Sequence, residues 1–215
     1  MQKKDIHPAI QTLQKEVKKW RVPVVAHYSQ TPFTVLISCL LSLRTQDKTT
    51  DAASQKLFCL AKTPQEMATL TTAKIEKTIY PVGFYKTKAK NIKKICHQLL
   101  SQNGGQVPDD LDELLKLPGV GRKTANLVVT QGFHKAGICV DTHVHRITNR
   151  WGYVQTKTPE QTEMALRRKL PQKYWIIIND LLVAYGQNLC KPISPLCSHC
   201  KIYAYCDRVG VTISR

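Results

Sequence analysis

The stretch Asp110-Leu111-Asp112-Glu113-Leu114-Leu115-Lys116-Leu117-Pro118-Gly119-Val120-Gly121-Arg122-Lys123-Thr124-Ala125-Asn126-Leu127-Val128-Val129 reads as two short helices joined by a tight turn. Asp110 can cap the first helix, whose apolar positions are Leu111, Leu114 and Leu115, and Pro118 stops it because its ring cannot continue a helix. Gly119 and Gly121 permit a tight turn. A second helix starts near Arg122 with Ala125, Val128 and Val129 on one face, so the turn and the helix start present free backbone N–H groups together. Such a set suits a phosphate. A Gly-x-Gly is by itself also an ordinary helix ending, and the charge of the chain weighs on the choice. Across 215 residues, 32 Lys plus Arg stand against 15 Asp plus Glu, a net charge of +17. That balance favours a polyanionic partner, nucleic acid ahead of an anionic membrane surface, and supports a DNA-binding hairpin.

Outward from the hairpin the chain keeps a helical period. Ile10, Leu13, Val17 and Trp20 recur at helical spacing, and no segment shows sustained strand-like alternation. The fold class expected is all-α. Thr63-Pro64-Gln65-Glu66 and Thr158-Pro159-Glu160-Gln161 each combine a capping threonine, a proline at the first helical position and Glu or Gln at the third. The spacing predicts helices near 8–20, 33–42, 48–60, 64–70, 73–79, 86–101, 110–116, 122–133, 143–150, 159–169 and 172–188.

The length allows one large or two small domains. Residues 1–20 read as an amphipathic helix carrying Lys3, Lys4, Lys15, Lys18 and Lys19, unlike a signal peptide. The most apolar early segment, Val35 to Leu43, is far short of the roughly 20 residues that span a bilayer. A soluble, intracellular, monomeric protein with no membrane partner is expected.

Of eight cysteines, Cys39, Cys59, Cys96 and Cys139 are scattered through apolar segments and read as small buried hydrophobes. The other four, Cys190, Cys197, Cys200 and Cys206, follow Cys-x6-Cys-x2-Cys-x5-Cys near the C-terminus. Without export signals this crowding points to a metal site rather than disulfides. The spacing alone leaves zinc and iron-sulfur both open.

Four segments, in order, resemble the endonuclease III family of helix-hairpin-helix DNA glycosylases: Gly83-Phe84-Tyr85-Lys86-Thr87-Lys88-Ala89, the Leu117–Asn126 hairpin, Val140-Asp141-Thr142-His143 and the cysteine cluster. The resemblance covers most of the chain, from about residue 30 to 206. The resemblance implies a two-lobed helical fold with a central domain at 25–135, and a second domain from 1–24 and 136–215 whose C-terminal loop carries a [4Fe-4S] cluster on the four cysteines. It implies an active cleft between the lobes.

The resemblance also implies that Lys123 is the nucleophile and Asp141 the catalytic aspartate. An amine attacking the sugar C1′ expels the base and leaves a Schiff base, whose iminium permits elimination of the 3′ phosphate; water could only release the base. An unperturbed lysine is neutral in roughly one molecule in 2,500 at pH 7, so such a site must depress its pKa. Arg122 and the start of the second helix both push in that direction. Asp141 also reads as a helix N-cap, and capping can coexist with stabilising the positive charge on the sugar.

The expected activity is removal of oxidised pyrimidines from damaged double-stranded DNA, with cleavage of abasic sites. Extruding a nucleotide leaves a gap, and Leu41 to Asp47 resembles the family loop that fills it. Arg44 stands there where many bacterial members carry glutamine, so the opposite-base preference is open. Arg44, Gln46, Gly119, Gly121, Arg122 and His143 are the expected DNA-facing residues. His145, two positions from His143, points elsewhere on a helix and reads as structural. Lys86, Lys88, Lys90, Lys93 and Lys94 read either as a solvated helix face or as a stripe facing the duplex. Two rivals remain: a monofunctional mismatch or adenine glycosylase, against which Lys123 argues, and a non-catalytic iron-sulfur DNA-binding module, which leaves Lys123 and Asp141 unexplained.

Overall fold

The structure is a computed structural model and describes residues 1–20 and 31–215. Among these residues every regular element is helical: α1 Ile6–Val17, α2 Pro32–Ser42, α3 Asp47–Leu60, α4 Pro64–Thr69, α5 Thr72–Ile79, α6 Tyr85–Gln102, α7 Leu111–Leu115, α8 Arg122–Leu127, α9 Thr142–Arg150, α10 Pro159–Lys169 and α11 Ile178–Asn188. A π-helical turn, Val128–Gly132, extends α8.

The helix starts follow their caps. The Thr63 hydroxyl accepts from Glu66 N while the Glu66 carboxylate accepts from Thr63 N, both at 3.2 Å. Thr158 accepts from Gln161 N at 3.2 Å, but the Gln161 side chain reaches Lys157 N instead of closing a reciprocal box. Two expected helices differ. α1 ends at Val17, and Trp20 lies in the turn beyond it, where its ring still packs edge-on to Tyr185 at 5.9 Å. The expected 172–188 helix is interrupted: Gln172–Tyr174 forms a 3-10 turn, the Trp175 indole donates to Leu170 O at 2.8 Å, and α11 starts only at Ile178. The half-buried indole takes that carbonyl as its acceptor, and an unbroken helix would not deliver it.

The chain divides into two compact units, Met1–Pro23 with Ile138–Arg215, and Val24–Gly137. The domain boundary expected at residues 24 and 25 falls outside the described residues. In the first unit α1 and α9 pack on α11. Its core holds Ile10, Leu13, Ile147, Trp151, Tyr153 and Tyr185. Each such Ile or Leu, fully buried, contributes about 1.5–3 kcal/mol. In the second unit α2 lies against α3, α6, α8 and the π-helical turn, and α6 packs on α4 and α5. The sequence explains the central place of α2: Phe33 to Leu41 is buried throughout, so this helix meets neighbours all round.

Three of the four scattered cysteines are buried, whereas Cys59 is exposed. Its place near the end of α3, beside the 44% exposed Leu60, turns it away from the core despite apolar neighbours.

Candidate active site

The hairpin forms as its residues require. The Asp110 carboxylate accepts from Asp112 N at 2.9 Å and Glu113 N at 3.1 Å, capping α7. The turn closes with Val120 N donating to Leu117 O at 3.1 Å. Pro118 is its second residue, and Gly119, its third, has φ +77°, the left-handed value that glycine reaches without strain. The turn rests on α6: a Cβ at Gly119 would stand 2.6 Å from Asn91 Nδ2. Gly121, at φ −99°, is the N-cap of α8, and nothing lies within 4 Å of where its Cβ would be. Leu117 and Val120 are buried beneath the turn, while Gly119 and Gly121 are exposed. One face of the hairpin therefore anchors and the other is open.

Arg122 and Lys123 begin α8, both half-buried. Lys123 lies near the thiol of Cys39 on α2, which burial pushes up to about 12 against the opposing pull of the Lys123 charge. In the same unit Arg44 and Gln46 are exposed on the loop from α2 to α3. Arg44 has φ +51°, and its guanidinium carbon stands 5.5 Å from the ring centre of Phe84, itself left-handed at φ +57° and 62% exposed.

The α6 lysines are not a uniform stripe. Lys86, Lys90 and Lys94 are exposed, but Lys88 is buried and Lys93 donates to Ala68 O at 2.5 Å. Neither reading of the run as a single face fits Lys88, which falls in helical register with Ile92, Ile95 and Leu99 on the buried side of α6.

Asp141, His143 and the four cysteines belong to the other unit. Asp141 caps α9, one carboxylate oxygen accepting from His143 N at 2.8 Å and Val144 N at 2.9 Å. His143 Nδ1 lies 3.1 Å from Arg146 Nη2, and both approach Gly186 of α11 so closely that a Cβ there would overlap the imidazole. His145 turns to Thr162 Oγ1 at 2.7 Å, within a network containing Asn149 and Thr156. The two histidines thus have separate surroundings.

Arg146 and Arg150 tie α9 to the cysteine loop. Arg146 donates to Cys190 O at 2.8 Å; Arg150 donates to Lys191 O at 2.7 Å, Pro192 O at 2.6 Å and Cys190 Sγ at 3.4 Å. Tyr185 Oη is 3.1 Å from Cys200 Sγ. Burial raises the Cys200 thiol and pushes that of Cys206 up to about 11. All four cysteines line one cavity with Arg150 and Tyr185. Among the described residues no three His, Cys, Asp or Glu side chains gather closely enough for a single metal ion. Four sulfurs around one cavity, with a guanidinium and a phenol directed at two of them, are a donor set that fits a thiolate-ligated metal centre.

The sequence reading missed several residues that shape these features. Asn91 supports Gly119, Phe84 lies against Arg44, Lys88 is buried behind the Arg44 loop, and Arg150 reaches Cys190. For Lys88 a signal existed, its apolar-face register in α6. For the others none was visible, because the contacts join positions far apart in the chain.

An all-helical fold carrying a Pro-Gly hairpin and a C-terminal four-cysteine loop defines a class of protein. Residues 37–172 match the HhH-GPD superfamily of base excision DNA repair proteins. The chain is 48% identical to endonuclease III of Thermotoga maritima over 198 residues, 92% of each sequence. Among solved structures, it matches a non-covalent endonuclease III–DNA complex with a TM-score of 0.87 and 32% identity, over 97% of this chain and 96% of that one. A trapped endonuclease III–DNA covalent intermediate matches with a TM-score of 0.85 and 33% identity, over 97% of each chain. The chain belongs to the endonuclease III family.

Proposed function

We propose that this protein removes oxidised pyrimidines from duplex DNA and cleaves the resulting abasic site by β-elimination. The observation that carries the reading is the half-buried lysine at the start of α8, two residues after the exposed Gly121 that caps the helix. The exposed turn offers backbone N–H groups to the phosphodiester backbone. Gly119 and Gly121 let that backbone come close, and Arg122 adds charge. Lys123 attacks C1′ of the extruded nucleotide. The C1′–N bond breaks, the base leaves with its electron pair and takes a proton, and ring opening gives an iminium. Loss of a C2′ proton then expels the 3′ phosphate, and water releases Lys123. Asp141 supplies the carboxylate that stabilises the developing positive charge and assists these proton transfers. Its remaining oxygen has that freedom, since one oxygen makes both capping bonds. Arg44 and Gln46, exposed on their loop, meet the duplex where the base stack opens, and His143 helps shape the site.

Cys190, Cys197, Cys200 and Cys206 would hold a [4Fe-4S] cluster, one thiolate to each iron. Bound there, the cluster cross-links the C-terminal loop. Arg150 and Tyr185 direct polar hydrogens at two of the sulfurs, and Arg146 fixes the Cys190 carbonyl. These residues support the assignment by donor chemistry.

Borohydride trapping on a duplex containing an oxidised pyrimidine tests the reading. Wild-type protein is expected to form a covalent adduct that Lys123→Gln does not. A wild-type protein that traps nothing, or a variant that traps normally, overturns it. Strand breaks that appear only after alkali would favour a glycosylase without lyase activity.

A further inference from the structure

Lys88 is the single lysine buried among the described residues, with 8% of its surface exposed. Its ammonium donates to Leu41 O at 2.8 Å, Leu43 O at 2.6 Å and Thr45 Oγ1 at 3.2 Å. A lysine ammonium has three N–H bonds, so each has an acceptor on one five-residue segment. Leu41 O is among the last carbonyls of α2, left unbonded by the end of the helix, and a cation is the favourable partner there. Burial draws the ammonium's pKa down to about 8, while three oxygen partners favour the charged form.

Thr45 completes the clamp. Its hydroxyl accepts from Lys88 and from Gly83 N at 3.2 Å, and donates to Leu43 O at 3.2 Å. Both lone pairs and the proton are used. Gly83 closes the other side: a Cβ there would stand 2.5 Å from Arg44 O. The residue these contacts surround, Arg44, is left-handed and exposed, with its guanidinium near exposed Phe84. A non-glycine residue keeps such a backbone only where its surroundings impose it. Here the surroundings are a buried cation, a hydroxyl and a glycine, all directed at the main chain of the loop. The guanidinium itself is left to face outward.

On the reading that the chain extrudes a nucleotide from duplex DNA, an outward guanidinium beside an aromatic ring suits the gap in the base stack. We infer that Lys88 is a positioning residue for recognition of the opposite strand: by holding the Leu41–Thr45 backbone, it places Arg44 against the base left unpaired. Lys88 touches no DNA in this role and acts through the loop.

The test uses a duplex with 2-aminopurine opposite a non-cleavable tetrahydrofuran abasic analogue. Entry of Arg44 into the gap alters the stacking and hence the fluorescence of the partner base. Wild-type protein at saturation gives a reference change. Lys88→Met, which keeps the apolar stem and loses the three donors, is expected to give less than half that change at its own saturating concentration. Thr45→Val is milder, removing one acceptor of Lys88 and the only partner of Gly83 N named above, and is expected to reduce the change in the same direction. In an Arg44→Ala background, Lys88→Met should produce no further loss. A wild-type-sized change from folded Lys88→Met or Thr45→Val overturns the inference, as does an undiminished Lys88→Met effect without Arg44. Failure of wild-type protein to trap abasic DNA would instead strike at the proposed function.

Discussion

The hairpin glycines allow the fold and the DNA contact to be separated with two alanine substitutions. Gly119 has φ +77° and leaves no room for a Cβ beside Asn91. An alanine there carries a left-handed penalty of about 1–2 kcal/mol. Displacing the Asn91 amide brings the total to roughly 2 kcal/mol, a melting point lower by about 4–8 °C for a chain of this size. Gly121 differs on both counts, having φ −99° and open space at its Cβ position. Alanine is a poorer N-cap than glycine, but it reduces unfolded-chain entropy by a comparable ~0.4–1 kcal/mol. The two terms nearly cancel, so the melting point of Gly121→Ala should stay within about 2 °C of wild type. Its methyl group nevertheless projects from the exposed side of the turn. Losing one N–H bond to a phosphate, worth about 1.5–3 kcal/mol, should weaken binding roughly 10- to 150-fold. The dependence of affinity on salt should keep its slope, because no cation has been removed. Thermal unfolding by circular dichroism and anisotropy of a labelled duplex at several salt concentrations measure both quantities. Wild-type DNA affinity in Gly121→Ala would refute the assignment of this turn to phosphate. A wild-type melting point in Gly119→Ala would refute the steric argument.

Asp141→Asn keeps an oxygen at the cap, so stability should stay within about 0.5 kcal/mol, while single-turnover base release falls on the order of 100-fold or more; unchanged turnover would leave Asp141 as a cap alone. At pH 8 in the native state, burial keeps Cys39 and Cys96 protonated, since it pushes both thiols up to about 12, far above the working pH. Iodoacetamide followed by mass spectrometry should therefore label the exposed Cys59 well ahead of either, and comparable labelling of Cys39 or Cys96 would contradict the packing of α2 or α6.

What could be read from the sequence is local in origin. Thr63, Asp110 and Asp141 announce helix starts because a capping side chain bonds to amides two or three residues away, a distance that residue order fixes. The hairpin is legible for the same reason: Pro118 and Gly119 specify the turn without outside help. The break before Ile178 was not legible, because it depends on the Trp175 indole finding Leu170 O. Lys88 was misread with its neighbours because charge outweighed register in the reading, while in the fold three oxygens from another element decide its place. Asn91 and Arg150 belong with it. Each serves a partner more than 25 positions distant.

The division of the chain into units has a consequence for how the protein comes into being. Val24–Gly137 is continuous, but the unit containing α1 also needs Ile138–Arg215. A ribosome adding about 5–20 residues per second takes several seconds to make that last portion. Throughout that interval Ile6, Ile10 and Leu13 lack the α11 surface that α1 packs on in the finished protein. Helix α1 is made before the whole of the Val24–Gly137 unit yet is buried only after it, and a nascent chain stalled near residue 140 would carry an apolar stripe open to chaperones or to other chains.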